Sequence, residues 1–373
     1  MDVRIIHTAD NHLGKKFKGR YTAATQEQLI NERFEALQRV VLACNQKQAH
    51  FLVIAGDLFD SINISLKDIK QTVSILKDFD GEDVLVLPGN HDFYETGANT
   101  LWKKFSDLAP DNITILHDCK PVEYTIGEQK IVFYPGPCTS KHSATNAIGW
   151  INSEKIDSNA LNIGIAHGNV EGKGLDNADK YFNMTPAELI AAQMDCWLLG
   201  HIHAPYPEKA SLTNPGFLFP ATHTPDGFDN KREGFCWYLE FDEKKRLKME
   251  QIITGKLKFY EWNKEISSLD DLVKLGREID VMHHQNSLMK LSLTGRISEN
   301  DFKKVNEVIT NLQKMLLHFE CENNLMLQID KDFINANYPD NSLPHKLLTE
   351  LAESDEDNLA LQLAQQLVEE AKL

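Results

Sequence analysis

The chain has 373 residues, 42% of them hydrophobic and 25% charged, with a formal net charge of −16. That length accommodates one large core and a smaller second unit, and the even interleaving of apolar and charged residues excludes a disordered chain. The acidic balance excludes tight capture of long nucleic acid by overall charge, so such a substrate would need metal ions or a local basic patch, with strongly salt-dependent affinity.

Val3–Thr8 reads as a strand, Gln26–Gln48 as a helix with Leu29, Phe34, Leu37, Val41 and Leu42 on its apolar side, and Phe51–Ala55 as a buried strand. The alternation continues with a helix at Ser65–Phe79 and strands at Val84–Leu87, Ile131–Tyr134, Leu161–Ala166 and Cys196–Leu199, which argues for α/β layers around a mainly buried sheet core. Phe235–Phe241 and Leu247–Ile253, split by a charged turn, read as the closing strands of a first domain at residues 1–255. A strand at Lys256–Trp262, helix at Leu269–Ile279, strand at Leu288–Thr294, helix at Glu299–His318 and strand at Asn324–Ile329 make a small α/β domain at 256–334. The tail, 335–373, reads as helical beyond a stretch rich in Asn, Pro, Asp and Ser. Glu350, Glu353, Asp355, Glu356 and Asp357 gather where a break between two helices would fall.

The six cysteines form no C-x-x-C pair and read as free thiols. No run approaches the roughly 20 apolar residues of a membrane span, and the start lacks the apolar stretch of a secretory signal. A cytoplasmic chain with no membrane association is the expectation.

Five short motifs carry the chemistry. HTADNHLG, residues 7–14, places Asp10 and His12 two apart after the first strand, and AGDLFD, residues 55–60, places Asp57 after the second. PGNHD, residues 88–92, delivers Asn90, His91 and Asp92; AHGN, residues 166–169, delivers His167; GHIH, residues 200–203, delivers His201 and His203. Each group stands where an apolar strand stops, the edge at which α/β sheets hold ligands. One such motif could be a turn or a helix cap, but five strand ends bearing carboxylate, amide and imidazole groups point to a metal centre. An all oxygen-and-nitrogen donor set favours manganese, iron or zinc over magnesium.

With these motifs the chain resembles the calcineurin-like metallophosphoesterases, and within them the Mre11/SbcD-type DNA repair nucleases. The D-x-H, G-D, G-N-H-D, H and G-H-x-H pattern is matched by residues 10–12, 56–57, 89–92, 167 and 200–203. The wording of HTADNHLG and FLVIAGDLFD, Arg33-Phe34, and NPGF at 214–217 resemble the nucleases, and LMKLSLTGRI at 288–297 resembles part of their capping domain. The resemblance implies a four-layer α/β/β/α sandwich with a small α/β cap and a helical tail. It implies two divalent metal ions, most simply Mn2+, one held by Asp10, His12, Asp57 and His203, the other by Asp57, Asn90, His167 and His201. Two such cations about 3.5–4 Å apart polarise the phosphate and lower the pKa of a shared water. His91 would orient the phosphate and protonate the leaving oxygen, with Asp92 accepting the other ring N–H. Implied partners are DNA as substrate, a Rad50/SbcC-like ATPase gripped by the tail, and a second copy of the chain. A phosphodiesterase or phosphatase for small nucleotides or phosphoproteins is the alternative.

Several residues stay open on sequence alone. Lys15, Lys16, Lys18 and Arg20 form either a positive lip beside the first motif or a solvated loop. Phe93 and Tyr94 stack on a base or pack in the core. His7 belongs to its strand, His117 and His142 to loops, and His223 to the surface; Phe217 stands where the family commonly has a small polar residue.

Overall fold

The computed structural model describes residues 2–152, 155–173, 180–222, 227–228, 233–282, 284–354 and 359–371. The chain divides into two compact units, Met1–Lys258 and Phe259–Leu373. The first contains β1 (Val3–Thr8), α1 (Ala23–Gln46), β2 (Phe51–Ala55), α2 (Leu66–Leu76), β3 (Asp83–Leu87), α3 (Leu101–Ser106), β4 (Ile113–Ile115), β5 (Val122–Ile126) and β6 (Gln129–Gly136). It continues with β7 (Leu161–His167), α4 (Pro186–Ala191), β8 (Cys196–Gly200), β9 (Phe217–Leu218), β10 (Phe235–Phe241) and β11 (Leu247–Ile253).

These strands form two sheets, ordered β11-β10-β1-β2-β3-β4 and β5-β6-β7-β8-β9. β1 to β4 run parallel, as do β6 to β9, while β10 and β11 close the first sheet antiparallel. The strands FLVIA, DVLVL and CWLLG are buried at every position, because both faces are covered. Alternate residues serve different cores. Ile5, Phe51, Val53, Leu85 and Leu87 meet Phe133, Ile163, Ile165 and Leu198 between the sheets. Their neighbours Ile6, Leu52, Ile54, Val84 and Val86 face Leu37, Val41, Ile69, Leu76 and Trp102 on the helical side. Beyond the second sheet, Ala166, Trp197 and Leu199 pack with Leu189 of α4. The result is the four-layer α/β/β/α sandwich.

Helix starts follow capping chemistry: the Thr22, Ser65, Thr100 and Thr185 side chains accept N–H groups of their first turns, and Pro186 opens α4. α3 and α4 leave no helical signature in the sequence, because six residues are too few to establish a period.

The second unit takes in β12 (Lys258–Glu265) from its second residue onward, followed by α5 (Leu269–Asp280), β13 (Ser287–Ile297), α6 (Glu299–Met315) and β14 (His318–Leu327). The three strands form one sheet, with β13 and β14 parallel from Leu288↔His318 to Ile297↔Leu327. Leu272, Leu275, Val305 and Leu312 of the helices pack on Met289, Leu291 and Leu293. Two expectations are corrected here. The helix expected to reach His318 stops at Met315, and the strand expected at Asn324–Ile329 starts at His318. The polar run FECENN lacks a continuous apolar signal, but pairing with β13 needs inward residues only at alternate positions, which Phe319 and Leu325 supply.

The chain ends in α7 (Lys331–Asn337), α8 (Leu343–Ser354) and α9 (Leu359–Glu370). Ile334, Tyr338, Leu348 and Leu361 give these helices a small core of their own, while Leu343, Leu347, Leu363 and Leu367 are exposed. The acidic residues 355–357 lie outside the described residues. Among the described residues no helix is long and apolar enough to cross a membrane.

Candidate metal centre

Parallel pairing points the C-terminal ends of β1, β2 and β3, and of β7 and β8, the same way within each sheet. Asp10, Asp57 and Asn90 follow the first three strands, while His167 ends β7 and His201 directly follows β8. The two sets meet across the sheets. The His201 N–H donates to both Asp10 oxygens at 3.0 and 3.1 Å, and His167 Nε2 lies 3.3 Å from Asp57 Oδ2 and 3.0 Å from Asn90 Oδ1.

The turns that carry these groups are unusual. Asp10, His12, Asp57 and His203 all have φ between 45° and 54°, and His201 has φ 115°. Such conformations cost of order 1–3 kcal/mol each and persist only when surroundings over-determine them. Here they do: the Asp10 and His12 N–H groups donate to the Gly56 and Asp57 carbonyls at 3.1 and 2.9 Å. From α1, the buried Arg33 reaches the Asn11 carbonyl at 2.9 Å, between the two ligands. Gly56 is required because a Cβ there would stand 2.0 Å from His167 Nδ1, and at Gly89 one would stand 2.2 Å from Asp57 Oδ1.

All seven expected metal-binding residues are therefore brought together. Asp10, His12 and His203 each place one ligand atom within 4.8 Å of the others, as do Asp10, Asp57 and His167. Asn90 Oδ1 is 3.0 Å from both His167 Nε2 and His201 Nδ1. Asp57 Oδ2 lies 3.7 Å from His12 Nε2 as well as 3.3 Å from His167, so one oxygen addresses both halves of the cluster. His12 Nε2 and His203 Nε2 approach to 3.0 Å. Imidazole lone pairs, two carboxylates and an amide oxygen aimed at one volume fit divalent cations.

Electrostatics agree. Burial alone would raise Asp57, but His167, His12 and His91 outweigh it and hold this carboxyl well below the usual range. Burial opposes charge on His167 too, yet Asp57 overrides it and raises His167 to about 9. Burial, reinforced by His167, drives His201 down to about 3. His167 would have to give up its proton to hold a cation here, so affinity would rise with pH.

His91 lies beside the cluster, its ring 4.7 Å from that of His12 and its N–H donating to Asp57 Oδ1 at 2.8 Å. The expected contact between Asp92 and the His91 ring is corrected. His91 Nδ1 is 3.0 Å from the Asp60 carbonyl, whereas the Asp92 oxygens accept the Gly89 and Phe59 N–H groups at 2.7 and 3.0 Å. Asp92 is fully buried, and burial together with the Asp57 charge pushes it up to about 7. Its work is to fix the PGNHD and AGDLFD turns against each other.

Sequence reasoning missed Asp60, whose carbonyl holds His91 and whose carboxylate lies 3.4 Å from His12 Nδ1. The signal was present, since it closes AGDLFD three residues after Asp57, but its partner is distant in sequence. Tyr94 stacks on His117 at 4.4 Å, and His50 Nδ1 accepts the Arg4 N–H at 3.0 Å. Lys16, Lys18 and Arg20 are exposed. His223 lies outside the described residues.

The sequence matches the calcineurin-like phosphoesterase family over residues 3–205. Among its relatives, a component of the nuclease SbcCD from Staphylococcus saprophyticus is 26% identical over 61% of this chain and 64% of its own. The uncharacterized metallophosphoesterase YhaO of Bacillus subtilis is 26% identical over 59% and 52%, and the corresponding SbcCD nuclease component of Staphylococcus epidermidis 25% over 55% and 58%. The match thus takes in less than two thirds of each relative. Family pattern, layered fold and convergent donors agree: this chain belongs to the calcineurin-like phosphoesterases.

Proposed function

We propose that the chain is a manganese-dependent DNA phosphodiesterase, a nuclease acting as exonuclease, endonuclease or both in DNA repair. The observation that carries the reading is the convergence of Asp10, His12, Asp57, Asn90, His167, His201 and His203 from five strand ends onto one volume. Two divalent cations held there supply Lewis acidity toward phosphate oxygens and a nucleophilic water near neutral pH. Asp57 is shared between the halves, and the remaining donors divide as Asp10, His12 and His203 against Asn90, His167 and His201. His91 meets the phosphate and hands a proton to the leaving oxygen. The similarity to two proteins named as components of the nuclease SbcCD supports DNA as substrate, while the net charge of −16 favours a small ester.

One experiment separates these readings. Protein stripped with a chelator is expected to lose, and with manganese to regain, hydrolysis of a chromogenic phosphodiester and of DNA. Activity undiminished without metal would end the proposal. A many-fold preference for cyclic dinucleotides or phosphopeptides over single-stranded, blunt or overhanging DNA would assign the small-ester alternative.

The partner reading follows from the acidic balance, which leaves DNA capture to another protein, and from the exposed leucines of α8 and α9. We assign these helices to an SbcC-like ATPase. Leu363→Glu/Leu367→Glu, which changes side chains that are 52% and 64% exposed, is expected to abolish co-purification with that ATPase and to spare hydrolysis of the small diester. Retained co-purification would remove the assignment.

A further inference from the structure

Beside His201, two segments are zipped together. The Ser143 N–H donates to the Lys180 carbonyl at 2.9 Å and the Phe182 N–H to the Ser143 carbonyl at 3.1 Å, a short parallel bridge between Ser143 and Tyr181. The pairing sets the rings of His142 and Tyr181 side by side, centroids 5.3 Å apart, and Tyr181 lies 5.1 Å from the His201 ring at 38°. A file of rings thus runs from His201 outward through a half-buried Tyr181 to an exposed His142.

Core packing does not account for it. Neither His142 nor Tyr181 is buried, and an aromatic pair at a surface leaves ring faces to water. Lys141 and Lys180, each adjacent in sequence to one of the rings, are both exposed, and neither has an ion-pair partner among the described residues. In a chain of net charge −16, an aromatic pair beside a phosphoesterase centre is thus flanked in sequence by two exposed lysines. Stacking rings with flanking cations are how proteins hold unpaired bases and their phosphates without reading sequence.

We propose that Tyr181 and His142 form a stacking platform for an unpaired nucleobase next to the scissile phosphate, with the flanking Lys141 and Lys180 receiving backbone phosphates. The proposal rests on the phosphodiesterase reading above. It narrows the substrate, because a base inside a duplex has no free face to offer; strands enter single or frayed.

The test compares a fluorescently labelled oligothymidylate with an abasic strand of the same length, by anisotropy on the full chain in calcium. Backbone charge is common to both, so the ratio of affinities isolates the bases. The natural chain is expected to favour thymidylate by roughly tenfold or more, the ordinary scale of base–aromatic stacking. Tyr181→Ala is expected to bring the ratio toward one and Tyr181→Phe to keep it, each compared only where its circular dichroism matches that of the natural chain, so that loss of fold is recognised separately from the ratio. A ratio unchanged in Tyr181→Ala, or equal affinities in the natural chain, overturns the platform. Binding of neither strand, with manganese-dependent hydrolysis of a small diester intact, overturns the platform and spares the phosphodiesterase reading. Absence of that hydrolysis overturns the reading itself. Lys141→Gln/Lys180→Gln should weaken both strands alike and reduce the salt slope by about one to two units; an unchanged slope overturns the lysines' part.

Discussion

Replacing His91 by alanine is expected to cut turnover by about 10²–10⁴-fold, the ordinary contribution of a general acid, while both metals stay bound. The backbone N–H of residue 91 donates to Asp57 Oδ1 at 2.8 Å, and alanine retains that bond, so the shared carboxylate keeps its place. What is lost is the ring. A carbonyl can only accept, so the 3.0 Å approach to Asp60 assigns a proton to His91 Nδ1 and leaves Nε2 as the nitrogen free for the phosphate. Replacement should therefore lower kcat far more than it raises KM. A competing role is visible in the geometry, because His91, His12 and Asp60 also gather as a possible ligand group. Metal analysis of the purified variant decides. Two ions per chain with collapsed turnover supports the acid role, whereas loss of one ion makes His91 a ligand.

The second large effect concerns stability in acid. His7 is fully buried on β1, and burial lowers it to about 3 from an ordinary 6.5, only partly offset by the Leu199 backbone. Its folded value is depressed, so the neutral ring's contribution is complete above pH 6.5 and is lost progressively as pH falls toward 3. Within that window the unfolded chain binds one more proton than the folded one. Each pH unit costs about 1.4 kcal/mol, a loss of roughly 2 kcal/mol by pH 5 and of order 5 kcal/mol across the window. His7→Leu keeps an apolar side chain of similar bulk and removes the titration. Chelator-treated natural and variant proteins share His167 and His201, so the difference between their slopes belongs to His7. Urea midpoints from pH 7 to pH 5 should fall less steeply in the variant; parallel slopes would show that His7 takes no part in acid unfolding.

Much of the centre was legible because its signals are local. FLVIA, DVLVL and CWLLG are apolar almost throughout, and a buried parallel strand demands that wherever it lies. The donors follow directly at their ends, so motif spacing named the candidates and the family resemblance narrowed them to seven, with Gly56 and Gly89 marking backbone that a Cβ would block. Short elements were lost: α3 and α4 carry less than two turns, and β9 only two residues. The polar first half of β14 escaped because its inward positions acquire meaning only beside β13.

The tertiary structure alone decided which groups serve which. Nothing near PGNHD tells whether Asp92 faces His91 or the Phe59 N–H; the AGDLFD turn, far away in sequence, settles it and brings the Asp60 carbonyl to the ring instead. His142 and Tyr181 become neighbours only when their two segments bridge beside His201. The sequence determined the donors, the layers and the edge at which they gather, because strand burial and turn chemistry are read over a few residues. It left orientation and outer partners undetermined, because a hydrogen bond between distant segments depends on how whole sheets pack and leaves no periodic trace in either segment.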